Sequence, residues 1–109
     1  MVDTVSKDEL KQKIAEGSVV VVNVLSKDSY DQEHIKGSIS IPIEELEKDG
    51  WKKLDKNKQI VTYCASYTCP ASKRGAEFLK GKSFNVSAYE GGIKEWSESG
   101  YQTEGTKGK

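Results

Sequence analysis

The run Val19-Val20-Val21-Val22-Asn23-Val24-Leu25 constrains the fold more than any other stretch of this chain. β-Branched side chains favour extended backbone, where their branches pack against neighbours on a pleated surface. The run does not alternate apolar with polar, so it has no face to offer water. Such a strand must be covered on both sides, as in a parallel sheet sandwiched between helices. Ile60-Val61-Thr62-Tyr63 and Val86 to Tyr89 repeat the pattern further along, with helical patterns in between. The expectation is an α/β domain with a central, mainly parallel sheet and helices on both faces.

The punctuation supports this. Ser6 is placed as an N-cap with Glu9 completing a capping box, Leu10, Ile14 and Ala15 recur at helical spacing, and Gly17 is the stop. Ser29 to His34 and Glu44 to Glu47 are predicted short helices, with Gly37 to Pro42 extended between them. Pro70 suits the first position of a helix whose apolar face is Ala71, Phe78 and Leu79 and which ends at Gly81. Glu90-Gly91-Gly92 predicts a turn, and Ile93 and Trp96 anchor a last helix that stops near Gly100. The domain is predicted to span residues 1–103, with the Gly- and Lys-rich residues 104–109 as a flexible tail.

Composition narrows the function. A chain of 109 residues has room for one modest core. With 17 basic and 17 acidic residues and no basic stripe, nucleic acid is a poor partner. No apolar stretch approaches the roughly 20 residues of a membrane span, and the N-terminus lacks the pattern of a signal peptide. The expected setting is cytoplasmic and reducing, where two cysteines are reactive more often than structural. The only histidine, His34, rules out a His-rich metal site and leaves the two cysteines short of a tetrahedral zinc shell.

Both cysteines stand in Cys64-Ala65-Ser66-Tyr67-Thr68-Cys69-Pro70, between a strand and a helix. There backbone N–H groups and the helix dipole converge on sulfur, favouring a thiolate and any anion bound beside it. Cys64 ends the strand, and its alternative reading is an inert thiol buried at a strand end. Cys69 is expected as the N-cap of the helix. It is either a thiol that resolves an intermediate on Cys64 or a residue that merely fits the loop.

Three segments, in order, resemble the rhodanese-like domain family. They are Val21-Val22-Asn23-Val24 with Tyr30 and Glu33 to Pro42; Val61-Thr62-Tyr63-Cys64; and Tyr89-Glu90-Gly91-Gly92-Ile93-Lys94-Glu95-Trp96 with Gly100-Tyr101. The resemblance implies a single rhodanese-like domain that needs neither a metal nor an organic cofactor. It also implies a sulfurtransferase of the thiosulfate type, in which Cys64 takes sulfane sulfur from a small donor such as thiosulfate or a persulfide. The sulfur is held as a persulfide and passed to a thiol, a cyanide-like acceptor or a protein acceptor. Ala65, Ser66, Tyr67 and Thr68 would form the substrate loop.

The chain departs from the family pattern in two places. Asn23 and Leu25 stand where Asp and Arg are usual, and Cys69 stands where the loop normally carries an arginine, in a loop about two residues longer. Lys73 and Arg74, on the first turn of the next helix, are the candidate substitutes for that cation. Asn23 is expected to bond loop backbone or cap the strand end, His34 to be structural, Trp96 to be core, and Glu90 to contact the neighbouring loop. Two alternatives accompany the sulfurtransferase reading. One is a redox-responsive module with a reversible Cys64–Cys69 disulfide. The other is phosphatase or arsenate chemistry, which needs an arginine six residues after Cys64, where Pro70 stands.

Overall fold

The computed structural model describes residues 3–66 and 68–106. Its sheet has the strand order β1-β6-β5-β2-β4, from Asp3–Thr4 (β1), Val86–Tyr89 (β6), Gln59–Tyr63 (β5), Val19–Asn23 (β2) and Ile39–Ser40 (β4). Every pairing in it is parallel: Val20 lies beside Ile60 and Ile60 beside Val86. Helices cover both faces, as the unalternating valine run requires. They are Lys7–Glu16 (α1), Lys27–Gln32 (α2), Ile43–Lys48 (α3), Ala71–Gly81 (α4) and Gly92–Glu98 (α5).

Strand periodicity divides the core into two halves. Val22, Ile60, Cys64 and Ala88 pack with Leu46, Ala76 and Leu79 on the α3–α4 side. Val21, Val61, Tyr63 and Tyr89 pack with Leu10 and Trp96 on the α1–α5 side. Trp96 is core, as expected, and its indole N–H donates to the Gln102 carbonyl at 2.9 Å.

Several boundaries differ from the sequence reading, each for a local reason. The strand stops at Asn23 because its side-chain oxygen accepts from the Leu25 N–H at 2.8 Å and turns the chain. Ser26 Oγ accepts from Ser29 N–H, so α2 starts at Lys27, two residues early. His34 then falls in a short strand, His34–Ile35 (β3), rather than in that helix. Ser6 does cap α1, accepting from Glu9 N–H at 3.1 Å, and Gly17 ends it in the left-handed conformation. Pro70 is the N-cap of α4, not its first residue, so Cys69 lies one position outside the cap.

The chain keeps pairing past residue 103. Thr103–Glu104 (β7) runs antiparallel to β3, and the Thr106 N–H donates to the Asp31 carbonyl at 3.0 Å. Of the expected tail, residues 107–109 lie outside the described residues. Among the described residues no helix is long and apolar enough to cross a membrane.

Candidate active site

Cys64 follows β5, which lies between β2 and β6, so the cysteine loop opens at the carboxyl edge of a parallel sheet. Open α/β sheets bind ligands at this edge. Two anchors hold the loop. Thr62, on the same face as Cys64, donates from Oγ1 to the Ser72 carbonyl at 2.7 Å and ties β5 to the first turn of α4. On the other side, the N–H groups of Ile93 and Lys94 donate to the carbonyls of Cys64 and Ala65, both at 2.9 Å. These are amides that the start of α5 leaves without helical partners. Gly92 makes that approach feasible. Its φ is +67°, and a Cβ there would sit 2.6 Å from both the Cys64 oxygen and the Ala65 carbonyl carbon.

This second anchor sets the direction of the loop amides. A trans peptide points its C=O and N–H to opposite sides. With the Cys64 carbonyl turned to α5, the Ala65 N–H faces the inside of the loop, and it and the Ala71 N–H are the backbone donors that lower the Cys69 thiol. The Ser72 N–H and hydroxyl approach the Cys64 sulfur instead. The Cys64 thiol reaches the Cys69 carbonyl at 3.3 Å, and the Cys69 sulfur is among the neighbours that shift its acidity. Both cysteines are free thiols.

The two thiols sit in unlike environments. Cys64 has 0 % of its surface exposed and belongs to the α3–α4 half of the core. Burial, then the neighbouring Cys69 sulfur, hold its thiol above the ordinary value, against the Ser72 donors. Cys69 is only partly buried. Burial raises its thiol too, but the donors from Cys64, Ala71 and Ala65 outweigh that and leave it below the ordinary value. More backbone donors therefore bear on Cys69 than on Cys64.

The remaining candidates divide. The Ser66 carbonyl accepts from Cys69 N–H at 3.1 Å, and its hydroxyl lies 3.0 Å from that of Thr68. Both line a hollow of about 320 Å³ beside the loop, with Gly91, Lys94, Glu95 and Glu98. Tyr67 lies outside the described residues. Lys73 pairs with Glu90 at 2.9 Å, linking α4 to the turn after β6, so Glu90 does contact its neighbour. Arg74 turns away from the loop. Its Nε donates to Glu47 on α3 at 2.8 Å, and the guanidinium holds that carboxyl below its usual range. Neither cation is thus free to replace the missing loop arginine.

Two groups that sequence reasoning passed over are Ser72 and the α5 amides. Only the adjoining Gly91-Gly92 pair hinted at the second.

Asn23 and His34 are structural. Buried Asn23 donates to the Tyr63 hydroxyl at 3.0 Å, besides capping Leu25. His34 stacks on Tyr30 with ring centroids 3.8 Å apart, and its Nδ1 lies 2.7 Å from the Tyr30 carbonyl. Leu25, in the place of a usual arginine, packs against the α3–α4 core. Among the described residues no group of three or more His, Cys, Asp or Glu could hold a metal ion. A hollow of about 580 Å³ between α1 and residues 100–102 includes neither cysteine.

The chain is similar to known proteins along most of its length. An HTH-type transcriptional regulator of Mycobacterium tuberculosis is 30% identical over 98 residues, 90% of this chain, which spans 43% of the regulator's length. The thiosulfate sulfurtransferase GlpE of Coxiella burnetii is 28% identical over 97 residues, 88% of both chains. Among solved structures, a rhodanese-related protein from Thermoplasma volcanium superposes with a TM-score of 0.84 at 30% identity, over 94% of this chain and 97% of that one. The BH2092 protein from Bacillus halodurans reaches 0.89 at 31% identity, over 96% and 78%. The family model described as the rhodanese-like domain matches residues 6–99. With its parallel sheet and cysteine loop, the chain belongs to the rhodanese-like domain family.

Proposed function

We propose that this chain is a sulfurtransferase that carries sulfane sulfur as a persulfide on its cysteine loop, with Cys64 the residue that holds it for transfer. The observation that carries this reading is a pair of free thiols in one loop at the carboxyl edge of the sheet, the Cys64 thiol donating to the Cys69 carbonyl at 3.3 Å, with the N–H groups of Ala65, Ala71 and Ser72 as neighbouring donors. Such donors stabilise a thiolate and equally the anionic terminal sulfur of a persulfide. A thiolate attacks the outer sulfur of the donor, the donor S–S bond breaks, and sulfite or a thiolate leaves. An acceptor thiolate or cyanide then attacks the terminal sulfur and frees the cysteine thiolate.

The surroundings favour a persulfide donor over thiosulfate. Lys73 and Arg74 each pair with a carboxylate, and the hollow beside Ser66 and Thr68 has one cation, Lys94, against Glu95 and Glu98. A small dianion gains little from such a balance. The Arg74–Glu47 pair also counts against phosphatase chemistry, which needs a cation at the loop. The test is thiocyanate formation from cyanide with either donor. Turnover should favour the persulfide and vanish in the Cys64→Ala, Cys69→Ala double variant. Turnover that survives in the double variant would remove the loop from the reaction.

The contact between the two thiols also favours a second reading, a reversible Cys64–Cys69 disulfide that responds to oxidants. A free-thiol count that stays at two after mild peroxide treatment would dismiss it.

A further inference from the structure

The sulfurtransferase reading leaves open which sulfur the donor meets, and the two thiols differ in every property that bears on the answer. Cys64 has no exposed surface, and its sulfur is enclosed by the α3–α4 core, the Ser72 turn and Cys69. A donor's outer sulfur must approach in line with the bond it is leaving, and Cys64 offers no exposed surface for that approach whereas Cys69 does. Cys69 is partly exposed, flanked by exposed Thr68 and Pro70, and receives the Ala65 and Ala71 N–H groups.

Resting on that reading, we propose that sulfur is first taken up by Cys69 and then handed inward to Cys64. The Cys69 thiolate attacks the outer sulfur of a persulfide R–S–S⁻, the donor S–S bond breaks and R–S⁻ departs, leaving Cys69–S–S⁻. The Cys64 sulfur, which already lies 3.3 Å from the Cys69 carbonyl, then attacks the terminal sulfur of that persulfide. The Cys69 sulfur leaves and takes up the Cys64 proton, giving Cys64–S–S⁻ and Cys69–SH. No net oxidation occurs in either exchange, so no outside oxidant or reductant is needed. The unlike acidities of the two thiols agree with this order, because the outer thiol is the more acidic of the two.

The loop has a device for keeping the thiolate outside. The α5 amides that grip the Cys64 and Ala65 carbonyls turn the Ala65 N–H onto Cys69. Without that grip the peptide is free to rotate and the donor is lost. The missing arginine fits the same picture, since Cys69 occupies its position and is stabilised by N–H and S–H donors instead of a cation.

Single-turnover loading with glutathione persulfide, followed by quenching, alkylation and peptide mass spectrometry, tests the order. The Cys64→Ser variant should still take up sulfur and accumulate it on Cys69, with no onward transfer. The Cys69→Ser variant should load Cys64 about tenfold more slowly or worse, having lost the exposed thiolate. In the unmutated protein, iodoacetamide at neutral pH should modify Cys69 about tenfold faster than Cys64, a comparison that no folding defect of a variant can confuse. Loading of Cys64 at the wild-type rate in Cys69→Ser, or faster alkylation of Cys64, would overturn the proposal. Unmutated protein that takes up no sulfur at all would instead bring down the sulfurtransferase reading, and this order with it.

Discussion

A buried phenol oxygen organises the polar centre of this protein. Tyr63 Oη accepts from Asn23 Nδ2 and from the Ile35 N–H, both at 3.0 Å. Ser38 Oγ, 2.8 Å away, donates to the Ile35 carbonyl at 2.7 Å, so the Tyr63 proton goes to Ser38. Every proton then has one acceptor. An aspartate at position 23 has no N–H to offer Tyr63, which is why asparagine suits this network. Tyr63→Phe strands the Asn23 and Ile35 donors and should cost about 2 kcal/mol or more, measured by urea unfolding.

The cysteines make a second residue-scale prediction. The Cys64 thiol is one of the donors that lower Cys69. Cys64→Ala removes it, so the pH midpoint of Cys69 alkylation should rise from below the ordinary thiol range toward it. A midpoint unmoved or shifted downward would contradict the contact.

At the scale of elements, the start of α5 is what holds the cysteine loop in shape. Gly92 and Gly91 are adjacent, yet their substitution should differ sharply. A Cβ at Gly92 meets loop backbone within 2.6 Å at a φ that disfavours side chains, so Gly92→Ala should cost about 2 kcal/mol or more and slow sulfur loading. A Cβ at Gly91 meets the Glu95 carboxylate at 2.2 Å, a side-chain end that can swing aside at the cost of its bond from the Tyr89 hydroxyl. Gly91→Ala should therefore be milder, and equal losses in thermal unfolding would refute the distinction. α4 makes the opposite point: Arg74 binds α3 through Glu47, so Arg74→Ala should leave the sulfur-loading rate unchanged in a stopped-flow assay.

Across the whole molecule, what the sequence made legible follows from how local each signal is. The valine run and the strand ending at Tyr63 declare a covered parallel sheet through composition alone, and both pair as expected. The family resemblance, carried by three separated segments, extended this to the whole fold. Boundaries set by one side chain escaped notice: Asn23 ending β2, Ser26 starting α2, and β7 pairing with β3 beyond residue 103. The cysteine loop was legible as a place but not in its internal geometry. Which thiol the amides reach depends on the Gly92 turn, about thirty residues further along the chain, and spacing within the loop cannot express that.

If the cysteine loop carries sulfur, the sulfur must be found on it. Intact-protein mass spectrometry after incubation with glutathione persulfide or thiosulfate, with peptide mapping, tests it most directly. One added sulfur per chain, confined to the peptide that holds Cys64 and Cys69, is the predicted result. A chain that gains no sulfur from either donor, or gains it outside that peptide, would contradict the claim.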